Sequence, residues 1–100
     1  EMIKRPEECS SIDDIRAEID RIDQQIVTLI GERAGYVQAA AKLKTSAADV
    51  RAAERLEAML RQRRAWAEEQ GLDPDMIEKL YRDMVNHFIR QEMAHWKQEQ

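Results

Sequence analysis

At 100 residues and a formal charge of −4, the chain has room for one domain and too little positive charge for a general nucleic-acid surface. Three glycines, two prolines and 5% aromatics, beside 43% apolar and 36% charged residues, suit a helical bundle and argue against a sheet protein or a disordered segment. No apolar run approaches the roughly 18 residues of a bilayer span, the opening EMIKRPEECSS lacks a secretion signal's apolar block, and the single cysteine, Cys9, excludes an internal disulfide; a cytoplasmic protein making no membrane contact is expected.

The first predicted helix begins after SSIDD, with Ser11 as N-cap, Asp14 three residues on and acidic residues crowding the first turn. Its apolar stripe runs Ile15, Ile19, Ile22, Ile26 and Leu29, meets Arg33 where an apolar residue is due, and resumes at Val37 and Ala40. No proline or turn cluster interrupts it before about Lys44. A helix of that extent is about 50 Å long at about 1.5 Å per residue. A globule of this size has a radius of gyration of about 13 Å, so one copy of the chain is too small to cover the helix, and self-association is expected. Gly31 and Gly35, four apart inside it, mark a place where another helix or a ligand approaches the backbone.

TSAADVRAA reads as a small-residue connection. The second helix takes in ERLEAMLRQRRAWAEEQ, with Leu56, Met59, Leu60, Arg63 and Trp66 or Ala67 on one side, and Gly71 closes it. The third starts at LDPD, with Asp73 as N-cap and Pro74 as first helical residue. Its stripe is Ile77, Leu80, Tyr81, Met84 and Phe88, then Gln91 or Glu92, then His95 or Trp96. Residues 1–100 thus read as a single all-helical domain without repeats or linkers.

The candidate functional residues are the polar ones on apolar faces. Arg33 interrupts the first stripe, and Lys44 follows eleven residues later, about 20° around the helix and about 16 Å along it. Two long cations on one face can converge on an anion; alternatively Arg33 pairs with a carboxylate such as Glu57 or Glu92. Glu92, four residues from both Phe88 and Trp96, lies on the third stripe, and Gln91 replaces it if the helix turns by about 100°. Arg16 is seventeen residues before Arg33, about 25 Å away along the axis, so it joins the same site only from a second subunit. Arg55, taken to open the second helix, is a cation at the end that disfavours one. His87 and His95 are eight apart, unsuited to a metal pair on adjacent turns, and no nucleophile elbow or phosphate loop is present. The chemistry of such a site needs neither metal nor cofactor. The short basic run RQRRAW reads as a solvated face.

IDDIRAEIDRIDQQIVTLIGERAGYVQAAAKLK resembles the first helix of the all-helical chorismate mutase family, with its early arginine, IDxID-like segment, mid-helix arginine and lysine eleven residues later. PEECSSIDDIRAEIDRID, RAWAEEQGLD and a terminal HW are similar to the isochorismate pyruvate-lyase branch, which makes salicylate for siderophores. The resemblance spans about residues 6 to 97. It implies the chorismate mutase type II fold: three helices per chain, the first long, intertwined in a homodimer whose two sites each take residues from both subunits. It implies that Arg33 and Lys44 bind a small dianionic substrate, isochorismate or chorismate, and that Arg16 enters from the partner subunit. It also implies that Arg55 contributes from the second helix, that Glu92, with Gln91 beside it, faces the substrate's ether oxygen, and that the segment before Arg55 closes over the ligand.

Two positions depart from the usual mutase pattern. Leu56 follows Arg55 where a carboxylate usually meets the ring hydroxyl, and Ala52 stands where an aspartate is common. Both losses are apolar and suit the lyase branch. Glu92 in place of the lyase-like glutamine must carry a proton to donate to the ether oxygen. The resemblance therefore implies isochorismate pyruvate-lyase activity with secondary chorismate mutase activity. The alternatives are a dedicated chorismate mutase and a non-catalytic helical dimer that binds a metabolite.

Overall fold

The computed structural model describes the backbone over residues 2–43 and 46–99 and the side chains over 2–43 and 55–94. A short 3-10 turn, Pro6–Glu8, precedes three helices: α1 (Ile12–Ala41), α2 (Ser46–Glu69) and α3 (Pro74–Glu99). The chain is all-helical with a long first helix, as its periodicity predicts, but α1 ends at Ala41 and a turn at Lys42 and Leu43 follows, short of the expected end at about Lys44. Its contacts divide it into two compact units, one ending at Tyr36 and the other beginning at Val37.

In the first unit, Ser11 caps α1 as expected: its hydroxyl accepts the Asp14 N–H at 3.1 Å. Asp14 does not return the bond to Ser11. Its Oδ2 instead accepts from the Ser10 N–H at 3.1 Å and the Ser10 hydroxyl at 3.2 Å. The ten-residue stretch before the helix therefore doubles back onto it. The Lys4 N–H donates to Glu18 Oε2 at 3.2 Å, and Lys4 Nζ lies 3.2 Å from Asp14 Oδ2. Inside this arm, the Arg5 N–H and Nε both donate to Glu8 Oε1, at 2.9 and 3.1 Å, which closes the 3-10 turn on itself.

No residue of α1 is buried. Ile12, Ile15, Ile19, Ile22, Ile26 and Leu29 are between 42% and 61% exposed. Full burial of such a side chain contributes about 1.5–3 kcal/mol, so the stripe leaves several kcal/mol of apolar burial unrealised in a single chain. Among the described residues, a Cβ placed on Gly31 or Gly35 meets nothing within 4 Å, so the backbone at the two glycines is open.

In the second unit, α2 begins at Ser46, eight residues before the predicted start at Glu54. The segment read as a connection is helix because Ala47, Ala48, Ala52 and Ala53 are strong helix formers and neither glycine nor proline intervenes. It was legible only by propensity, since it carries no apolar stripe. The start at Ser46 also corrects the placement of Arg55, which is the tenth residue of α2, beyond the reach of the N-terminal dipole.

The far end of α2 follows the sequence closely. Gly71 adopts φ +71°, the Leu72 N–H bonds Ala67 O at 2.8 Å and the Gly71 N–H bonds Glu68 O at 3.1 Å, the paired bonds of a Schellman motif. Asp73 Oδ1 then accepts the Asp75 N–H at 2.9 Å, capping α3 with Pro74 in its first turn. This four-residue reversal packs α3 back along α2. Met59, Leu60 and Ala67 are buried, and Ile77, Tyr81, Met84 and Phe88 present a half-buried stripe.

Charge sets the register of that pair. Arg64 Nη1 reaches Asp75 at 2.8 Å and Glu78 at 3.2 Å, while Arg82 reaches Glu78 at 3.3 Å and Glu57 at 3.4 Å. Arg63, on the stripe where its spacing puts it, stacks its guanidinium over Trp66 at 4.6 Å and Tyr81 at 5.6 Å. Its Nε is buried without a hydrogen-bond partner, and the two rings offset part of that cost. Among the described residues no helix is long and apolar enough to cross a membrane.

Gly71→Ala should destabilise the chain by about 1–2 kcal/mol, because a Cβ is strained at that φ. Leu60→Ala, at a side chain only 1% exposed, should cost about 2–5 kcal/mol. Urea midpoints of both variants against the parent measure the two effects.

Candidate functional site

The sequence-predicted residues fall on all three helices. Arg16 is the fifth residue of α1. Its side chain is 73% exposed and its guanidinium lies 4.0 Å from Asp13 Oδ1. A contact of that length between exposed groups is worth little, so Arg16 can exchange it for another anion. Arg33 is half-buried, in register with the stripe between Leu29 and Val37. About 25 Å of helix separates the two arginines.

Arg55 is exposed on α2, and Leu56 beside it is half-buried. On α3 the structure distinguishes the two neighbouring polar candidates. Glu92 is half-buried, four residues beyond Phe88 on the same stripe, whereas Gln91 is exposed. Arg55 and the Gln91–Glu92 pair thus stand on two helices packed against each other, and Arg16 and Arg33 share α1. Glu57, one acid the sequence offered to Arg33, accepts from Arg82. Lys44 lies outside the described residues, as do the side chains of Ala52, His95 and Trp96.

The arm against α1 was not foreseen from the sequence. Asp14 is held below the usual aspartate range, first by the Ser10 N–H and then by the Lys4 ammonium. Glu18 is lowered too, chiefly by Arg21, whose Nε donates to it at 2.7 Å, and next by the Lys4 N–H. Ile3, Pro6 and Cys9 from the arm and Ile15, Ile19 and Ile22 from α1 wall a groove of about 390 Å³. Helical periodicity carries no trace of these contacts, because the arm is not helical over most of its length and the Lys4–Glu18 bond spans fourteen residues.

Three helices with a long first one accord with the fold the resemblance implies. Residues 15–93 match the family model for chorismate mutase type II. The chain belongs to that family.

Among curated relatives, the isochorismate pyruvate lyase of Pseudomonas aeruginosa is 44% identical over 96 residues, covering 96% of this chain and 95% of that protein. The T-protein of Haemophilus influenzae is 34% identical over 89 residues, 88% of this chain and 22% of the much longer relative. As a chorismate mutase type II protein, the chain is a member of an enzyme family, and its match to the lyase extends nearly end to end.

Because Asp14 and Glu18 are both lowered, their bonds to the arm are fully present above the ordinary carboxylate values of 3.8 and 4.5 and are lost as pH falls through the depressed values. The amide resonances of Lys4 and Ser10 should accordingly stay constant from neutral pH to about 4.5 and move toward random-coil positions only below it. An acid titration followed by NMR reads this directly.

Proposed function

We propose that the protein is an isochorismate pyruvate-lyase, cleaving isochorismate to salicylate and pyruvate, with chorismate mutase as a secondary activity of the same site. The observation that carries this reading is the 44% identity to a curated isochorismate pyruvate lyase over 96% of the chain. The cations and the apolar Leu56 and Ala52 in this sequence support it.

The reaction suits a site built from such residues. The ring hydrogen passes to the methylene carbon of the enolpyruvyl group as the ether carbon–oxygen bond breaks. Pyruvate departs and the ring becomes aromatic. Every bond change occurs within the substrate, so the protein's task is to fold the side chain over the ring and stabilise negative charge on the departing ether oxygen. Arg33, Arg55 and the partner's Arg16 would hold the two carboxylates, for which planar guanidinium forks are suited. Lys44 would donate to the ether oxygen as a point charge. Glu92, half-buried on α3, would face the same oxygen, with Gln91 beside it.

The homodimer belongs to the same proposal. A second copy would cover the α1 stripe left exposed in one chain, meet the open backbone at Gly31 and Gly35, and bring Arg16 across the 25 Å or so that separates it from Arg33. Rearrangement of chorismate to prephenate is the second reading, favoured by the family match over residues 15–93.

Salicylate fluorescence should rise when the purified protein meets isochorismate, faster than chorismate is consumed in a parallel assay. A faster loss of chorismate would favour the mutase. Arg33→Ala should lower kcat/KM about 10–150-fold, the loss of one charge-assisted bond of about 1.5–3 kcal/mol. Glu92→Gln should keep activity, since the amide N–H can donate to the ether oxygen. Refolding equal amounts of Arg16→Ala and Arg33→Ala chains together should restore about a quarter of the parent activity, because half of the dimers then hold one intact site of two. Absence of any recovery would count against shared sites.

A further inference from the structure

The arm that doubles back onto α1 touches one side of the helix only. Its anchors are Asp14 and Glu18, each two residues from Arg16, so they project about 160° away from it around the helix. Asp14 is the hub: its Oδ2 takes the Ser10 N–H at 3.1 Å, the Ser10 hydroxyl at 3.2 Å and Lys4 Nζ at 3.2 Å, while its own N–H is capped by Ser11. Glu18, one turn on, takes the Lys4 N–H at 3.2 Å and Arg21 Nε at 2.7 Å. The first turns of a helix are where it frays, since their N–H groups lack intrahelical partners. Here those turns are clamped from behind while the guanidinium on the front, 73% exposed, is left reachable.

We propose that Asp14, with Lys4 and Ser10, is a positioning residue for catalysis: the arm it holds fixes the opening turns of α1 so that Arg16 is presented to the partner's site in one orientation. This rests on the shared-site reading of the preceding subsection. The arm acts through Arg16 and touches no substrate. Without it, Arg16 sits on a segment that opens and closes, and substrate binding carries the cost of ordering that segment. The clamp also assigns neighbouring charges. With Asp14 taken by Ser10 and Lys4, and Glu18 by Arg21 and Lys4, Asp13 stands beside Arg16, at 4.0 Å.

The test is a double-mutant cycle on the full chain, with isochorismate as substrate. Asp14→Ala should raise KM about 3- to 10-fold and leave kcat within about twofold, as expected for the loss of a few exposed hydrogen bonds that act only on binding. Asp14→Asn, whose amide oxygen still accepts from Ser10, should recover most of the KM. In the Arg16→Ala background, Asp14→Ala should have no further effect on KM, because the residue it positions is gone. Equal KM penalties in both backgrounds, or a parent-like KM for Asp14→Ala with the arm shown by NMR to be released, would overturn the proposal. Circular dichroism and urea midpoints exclude global unfolding as the cause. A parent protein inert toward both isochorismate and chorismate would instead overturn the function proposed above, an outcome distinct from an active parent whose Asp14→Ala variant behaves like it.

Discussion

The apolar stripe of α1 is about half exposed among the described residues, touched by the arm at Ile15, Ile19 and Ile22 but not buried by it. Six large aliphatic residues from Ile12 to Leu29 stay about half exposed, and α1 has no buried residue. Monomeric proteins rarely leave so extended an apolar surface in water, because its burial is the main favourable contribution to folding. Helix periodicity alone is enough to create the stripe, but covering it requires a second surface. The glycines at 31 and 35 fit this requirement, since no described atom lies within 4 Å of where their side chains would stand.

The same helix carries the charge that a dianionic substrate would need. Arg33 interrupts the stripe and is half-buried, while Arg16 stands near the helix start with only a long contact to Asp13. A rigid helix keeps two such residues apart. Only assembly brings cations so separated onto one small molecule, so burial of the stripe and construction of the site become a single event in the proposed dimer. The second unit is built on different terms. Among its described residues Met59, Leu60 and Ala67 are buried, and its helices are registered by Arg64 and Arg82 against Asp75, Glu78 and Glu57. Arginine suits this work because its fork can engage two carboxylates at once.

Family membership and physical reading converge at different depths. The match over residues 15–93 assigns the chain to the chorismate mutase type II family, and the physical reading singles out the charges that stand on apolar faces. Glu92 and Gln91 show the limit of pattern reading. Periodicity leaves either residue able to face inward, and the packing of α3 selects Glu92 as the more buried. Arg55 shows a different limit, because its supposed place at a helix end came from reading an alanine-rich helical turn as a loop.

What the sequence determined by itself was local. The Ser11 cap, the Gly71 and Asp73 reversal, the start of α1 and the stripes of α1 and α3 all depend on residues a few positions apart, where backbone geometry and side-chain period dominate. The tertiary structure decided what depends on distant partners: the arm folded onto Asp14 and Glu18, the pairing of Glu57 with Arg82, the stacking of Arg63 on Tyr81, and the choice between Gln91 and Glu92. The reason is that an exposed carboxylate has many cations of nearly equal appeal along the chain. Only the path of the backbone decides which one arrives within hydrogen-bonding distance.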